Sequence, residues 1–279
     1  MLCDLHIHSG YSSGTQTLDE IADEARAKGI GMISITDDDS LEAYRELPEV
    51  ASRAGLSWIS GVQVSAVHGA RIIRLLAYDI DTDDAAFHRI LAHNREQMDA
   101  FGEAVVACLA QDYPELSVEE YRAHQKVPSY GGFRHSSYMR SKGLPGDYDS
   151  GVQLMMPYRD QLVAAYVNQA FATVEETIGM VHSAGGKAVL PGGYLPDPES
   201  LRGEIDGLCA MGLDGLEVWS LSYDEEMSQL ARTLAEERGL LMTGGGDGHG
   251  SWADPNKFVI RGFALERMNL GGIEIVPPS

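Results

Sequence analysis

The chain has 279 residues, 42 of them acidic against 21 basic, for a formal net charge of −21, and 44% of its residues are hydrophobic. That apolar share suits a folded core and excludes global disorder, while so acidic a surface is ill-suited to a phosphate backbone, so no bulk nucleic acid partner is expected. Three scattered cysteines (Cys3, Cys108, Cys209), an N-terminus without a basic leader and no apolar run of the ~18 residues a membrane span needs point to a cytoplasmic protein without disulfides or membrane contact.

Taken in chain order, residues 2–7 predict a first strand that runs into His6-Ile7-His8. Thr17 and Glu20 have the spacing of a capping box and open a helix that closes at Gly29. A buried strand follows at 30–35 and ends in Asp37-Asp38-Asp39. Gly55 closes the next helix, after which a third strand reaches Gln63 and a fourth covers 72–80. Between about 84 and 174 the alternation breaks. Residues 85–112 carry one long helical periodicity, with shorter helical pieces at 118–124, 136–141 and 157–165. The alternation then resumes. Thr173 and Glu176 form a second capping box and Ser222 and Glu225 a third, and short apolar strands follow Gly186, Gly212 and Gly239. The last strand runs into Gly244-Gly245-Gly246-Asp247-Gly248-His249. Alternating strand and helix predicts an α/β fold with a parallel sheet. About seven strands favour a closed barrel, built from 1–84 and 175–279, with 85–174 an inserted helical subdomain.

In parallel α/β folds the C-terminal ends of the strands form the working face. His6 and His8 are two apart on a strand, so both imidazoles project from one side. Asp247 and His249 repeat that spacing with an oxygen and a nitrogen, among glycines that let backbone approach closely. Each pattern has an ordinary explanation by itself: a chance His-x-His, a solvated aspartate turn capping a helix, a tight Asp-Gly-His turn. Their convergence at strand ends predicts a metal site, and mixed nitrogen and carboxylate ligation suits Zn, Mn or Fe.

The runs Asp4-Leu5-His6-Ile7-His8-Ser9, Ile35-Thr36-Asp37-Asp38-Asp39, Gly61-Val62-Gln63-Val64-Ser65 and Gly246-Asp247-Gly248-His249, in this order, resemble the PHP family (polymerase and histidinol phosphatase domains). That resemblance implies a distorted seven-stranded β/α (TIM-like) barrel whose C-terminal rim holds up to three divalent metals. It also implies a phosphoesterase acting on nucleotides or sugar phosphates. His6, His8, Asp247 and His249 fall unchanged on ligand positions of the family. Other positions depart from it. Ser13, Asp38, Gln63 and Arg74 stand where the family carries an acidic residue or histidine, a histidine, a bridging glutamate and a histidine. A ligand histidine of the insertion falls at Arg134 or His135. Pro191-Gly192-Gly193 replaces a further histidine.

These departures imply a reduced centre. One ion would be held by His6, His8 and Asp247 with Gln63 as a neutral fourth ligand. A second would rest on Asp38 and His249. The third is not expected, because a guanidinium cannot ligate a cation. One or two ions rather than three are therefore expected, with Arg74, Arg134 and His135 contacting substrate phosphate and Asp38 or His249 handling protons. The expected function is metal-dependent hydrolysis of a small phosphorylated molecule. The alternative is a relative that binds phosphate or a partner without turnover.

Overall fold

A computed structural model describes residues 1–69, 71–195, 197–254 and 258–278. Strand β1 (Leu2–Ile7) and strand β2 (Ile30–Ile35) pair in parallel, and both are buried along nearly their whole length. Both faces of the pair are covered, so β2 reads as a nearly continuous apolar run, while β1 buries Asp4 and His6 among its apolar residues. A two-residue strand β3 (Ser57–Trp58) adds to β2, while β4 (Gly61–His68) and β5 (Arg71–Tyr78) form an antiparallel hairpin. Strand β6 (Lys187–Leu190) lies antiparallel to β5, and β7 (Gly215–Ser220) and β8 (Leu241–Gly245) follow in parallel. A short β9 (Phe263–Ala264) pairs antiparallel with β1.

These strands make two sheets, of four in the order β3-β2-β1-β9 and of five in the order β4-β5-β6-β7-β8. The expected seven-stranded TIM-like barrel is therefore not formed. The reason lies at residues 56–63, which do not make one strand. Ser57–Trp58 stays with β2, and the chain then starts a new strand at Gly61 that returns on itself as a hairpin. Among the described residues the two sheets meet through the single bridges Ile7–Gly248 and Asp38–Gln63, so neither seam closes as a ladder. Gln63 accordingly sits inside β4 rather than at a strand's C-terminal end. Those two bridges still bring the end of β1, the loop after β2 and the loop after β8 to one place.

Helices α1 (Leu18–Ala27) and α2 (Leu47–Ala54) flank the first sheet's strands in sequence, and α2 ends at Gly55 in the left-handed conformation expected of a C-cap. Between β5 and β6 lie α3 (Ala85–Leu109), α4 (Val118–Ala123), α5 (Arg134–Ser141), α6 (Tyr148–Met155) and α7 (Arg159–Val167), and then α8 (Val174–Ser183). Helices α9 (Pro198–Ala210) and α10 (Glu225–Arg238) separate the last strands. The capping boxes at Thr17–Glu20 and Thr173–Glu176 are both reciprocal. The third is not formed: Asp224 caps α10 by accepting from the Met227 N–H, because the helix begins two residues later than Ser222 allows. The sequence pattern also missed α6, which is short and carries Gly151 at its middle.

The main core runs through both sheets and their flanking helices, from Ile7 and Ile33 to Val64, Leu190 and Val218. A second apolar cluster, with Val105, Leu109, Tyr121, Tyr138 and Leu162, belongs to the helices between β5 and β6. Gly245, the last residue of β8, is packed directly against β1. A Cβ there would stand 2.3 Å from His6 Cβ and 2.6 Å from the His6 backbone nitrogen. The backbone cannot yield that space, so Gly245→Ala should destabilise the protein by about 3 kcal/mol. Thermal denaturation checks this, with an expected fall of roughly 6–12 °C.

Candidate metal centre

Asp4 sets the stage. Its buried carboxylate accepts from the backbone N–H groups of His6 (3.1 Å), Gly246 (3.0 Å) and Arg261 (2.7 Å). It thereby ties the end of β1 to the loop that carries Asp247. Burial pushes its pKa up to about 7 against those donors. Asp247 is held at φ 50°, a left-handed conformation that aspartate tolerates better than most residues. From there its Oδ1 lies 3.3 Å from His6 Nε2, 3.2 Å from His8 Nε2 and 3.0 Å from His249 Nε2.

His6 Nε2 is also 3.3 Å from His8 Nε2 and 3.2 Å from the Gln63 side-chain amide. Each of His6, His8 and Asp247 thus offers a ligand atom within 4.8 Å of the others, as one divalent ion requires. On its far side His6 Nδ1 meets Glu217 Oε1 at 3.0 Å, and Glu217 Oε2 accepts from the Gly192 N–H at 2.9 Å. Glu217 is 1% exposed. Its carboxylate holds the proton on Nδ1 and leaves Nε2 to face the cluster, the arrangement that orients metal-bound histidines.

Burial opposes a proton on His6, but Asp247 and Glu217 outweigh it and raise the pKa to about 9. At neutral pH the ion-free imidazole therefore carries two protons, and an ion must displace the one on Nε2. Metal affinity should rise with pH by up to about tenfold per unit below pH ~9 and flatten above it. Calorimetric titration of Mn(II) at several pH values measures this slope. Asp247 responds oppositely: burial works to raise its pKa, while His6 and His249 pull it well below the ordinary carboxylate range.

Of the three consecutive aspartates only Asp38 faces this cluster. Asp37 is consumed by Ser9 N–H and Oγ and by Ser12 Oγ, and Asp39 by Ser65 N–H and Oγ and by Asn94 Nδ2. Asp38 Oδ2 accepts from Ser13 Oγ at 2.5 Å and lies 3.4 Å from His8 Nδ1, and Oδ1 is 3.6 Å from Arg74 Nε. Ser13 Oγ also reaches His249 Nδ1 at 3.1 Å, so Asp38, Ser13, His249 and Asp247 form one hydrogen-bonded chain. His249 stacks on His8 with ring centroids 4.2 Å apart and meets Trp252 edge-on at 5.2 Å.

Above these groups opens a cavity of about 530 Å³, lined by His6, Asp38, Gln63, Arg74, Asp247 and His249 on one side. Its other walls come from α3, α5, α6 and α7, together with Phe133, Trp252 and Phe258. His135 also lines it, but Arg134 does not join the others. The Arg134 guanidinium is spent on the carbonyls of Tyr121, Arg122 and His124 at the end of α4 and on Asp99 (2.8 Å). Glu217 was not legible from sequence, since it lies in an apolar strand without a neighbouring chemical motif, and Asp4, although it opens the Asp4-Leu5-His6-Ile7-His8 run, gave no sign there of its role in tying β1 to the Asp247 loop.

Comparison with known proteins agrees with this geometry. The PHP domain model matches residues 4–186. The chain is 28% identical over 262 residues to a 3′,5′-nucleoside bisphosphate phosphatase of Chromobacterium violaceum, covering 88% of this chain and 86% of that one. It is 27% identical over 254 residues to the 5′-3′ exoribonuclease Rnm of Salmonella typhimurium, covering 89% and 85%. Among solved structures, one assigned as a metal-dependent phosphoesterase from Bifidobacterium adolescentis superposes with a TM-score of 0.72 at 26% identity, over 92% of this chain and 90% of that one. Among the described residues no helix is long and apolar enough to cross a membrane.

Proposed function

The chain belongs to the PHP domain family of metal-dependent phosphoesterases, and from that premise we propose that it hydrolyses a small phosphorylated metabolite of the nucleotide or sugar phosphate class. The observation that carries this reading is the convergence of His6, His8 and Asp247 within 4.8 Å, with His6 and Asp247 at the wall of a cavity. Their donor set, two imidazoles and a carboxylate with the Gln63 amide beside them, fits Mn, Fe or Zn. One or two ions rather than three suit the rest of the site, where Arg74 offers no lone pair. When bound, such an ion supplies Lewis acidity to a phosphoryl oxygen and acidifies water.

The chain's own residues have separate tasks. Glu217 keeps the His6 ring in one tautomer. Asp38, Ser13 and His249 form a path along which a proton can pass to or from His249 Nε2, which is buried at the cavity wall. Trp252, fixed by its Nε1–H to the Gly146 carbonyl at 2.7 Å, closes one side against water.

The test is phosphate release from a panel of nucleoside monophosphates, nucleoside bisphosphates and sugar phosphates. Release should require metal, vanish with chelator and return with Mn(II). Protein with stoichiometric metal that leaves the whole panel intact would overturn the proposal. The exoribonuclease name of one relative favours a second reading, in which the substrate is the end of an RNA chain. Faster turnover of short 5′-labelled oligoribonucleotides than of any mononucleotide would select it.

A further inference from the structure

The cavity contains a second place suited to negative charge, set apart from the imidazole cluster. Arg74 comes from β5, where it is paired across the hairpin with Ser65, two residues beyond Gln63 on the same face. That offset places its Cα roughly 7 Å along the sheet from the pair that faces His6. Its guanidinium lies over the Phe133 ring, 4.9 Å from the centroid, with Tyr194 beside it. Its Nε–H is buried and has no acceptor among the described residues. The nearest carboxylate oxygen, Asp38 Oδ1, is 3.6 Å away, beyond hydrogen-bond reach, and the other oxygen of Asp38 is committed to Ser13.

His135 stands at the start of α5, 4% exposed, and its Nδ1 is likewise buried without a partner. It packs face to face on Phe133, the ring that also carries Arg74, and edge-on to Phe101. Burial and the Arg74 charge push its pKa down to about 4, so the ring is neutral and one nitrogen remains a donor or acceptor without adding charge. Two unsatisfied polar groups in one cavity, held by a shared aromatic ring, are costly unless a ligand completes them. Nε–H is one of the two parallel donors through which a guanidinium grips a phosphoryl group.

We propose that Arg74 and His135 form an oxyanion subsite that takes phosphoryl oxygens without needing a bound ion. The guanidinium is a permanent positive charge built into the sheet. It neutralises the phosphoryl group from beside the His6, His8 and Asp247 cluster, with Asp38 lying between Arg74 and His8. That the anion is the substrate's phosphoryl group rests on the function proposed above, but occupation of the subsite does not.

The experiment uses chelator-treated full-length protein and inorganic phosphate as the probe, followed by titration calorimetry. Wild-type protein should bind one phosphate with metal absent, and sulfate should compete. Arg74→Gln should weaken binding by about tenfold or more, and His135→Ala by a smaller factor. Arg74→Lys, which keeps the charge but loses the fork, should fall between wild type and Arg74→Gln, and guards against loss of binding through misfolding. Equal phosphate affinity in wild type and Arg74→Gln, or no phosphate binding by metal-free wild type, would overturn the subsite. A failure of the proposed function shows instead as metal-loaded protein that binds phosphate but releases none from any ester.

Discussion

Asp247→Asn is expected to strip the protein of its ion and lower phosphoester turnover by about 10³-fold or more, roughly 4 kcal/mol of transition-state stabilisation. One oxygen of Asp247 faces three imidazole nitrogens at 3.0–3.3 Å, and among the described residues it is the single carboxylate that all three share. An asparagine has the same shape and tolerates the left-handed backbone that Asp247 adopts. The fold and the Gly246–Gly248 loop should therefore survive. What disappears is the negative charge that offsets a dication among neutral nitrogens. Elemental analysis and kcat/KM on the same preparation measure both effects. Stoichiometric metal together with activity within a few-fold of wild type would show that the ion sits elsewhere.

The second large effect is expected at Glu217, a residue that does not line the cavity. Glu217→Ala should weaken Mn(II) binding by about 10- to 100-fold, equivalent to roughly 1.4–2.7 kcal/mol. The carboxylate lies wholly inside the protein, with its two oxygens divided between His6 Nδ1 and the Gly192 N–H. Removing it frees the His6 ring to rotate and lets the single proton of the neutral ring settle on Nε2 as well as on Nδ1, which silences the lone pair that must face the cluster. It also loosens the loop after β6, because Gly192 loses its acceptor. Glu217→Gln should lose less, since an amide oxygen can still accept from one of the two donors while the amine opposes the other. Calorimetric titration with Mn(II) separates the three proteins. An unchanged dissociation constant in Glu217→Ala would mean that packing alone holds His6 in place.

Legibility of the site followed the distance over which each pattern is written. His6-Ile7-His8 and Asp247-Gly248-His249 are short, and the alternation of a strand or the freedom of glycines decides locally where such side chains point. The three aspartates were harder. Nothing in Asp37-Asp38-Asp39 tells which one turns inward, because that depends on Ser9, Ser12, Ser65 and Asn94 arriving to occupy the other two. Arg134 and His135 are adjacent in sequence, yet one is consumed by the carbonyls at the end of α4 and the other lines the cavity. The turn of α5 decides that, and composition does not.

Sequence alone showed that strand and helix alternate and that two histidines and a later Asp-Gly-His stand where strands end, the pattern from which a shared cation was expected. These are local matters, governed by backbone period and side-chain type. The tertiary structure decided that the strands part into two sheets instead of closing a barrel, since a hairpin at β4–β5 reverses direction where a parallel strand would have continued. It also decided that Glu217 stands behind His6 and that Arg74 is left with an unanswered donor. Both outcomes depend on pairing between segments far apart in the chain, and pairing is set by which buried groups find partners, a quantity no single stretch of residues contains.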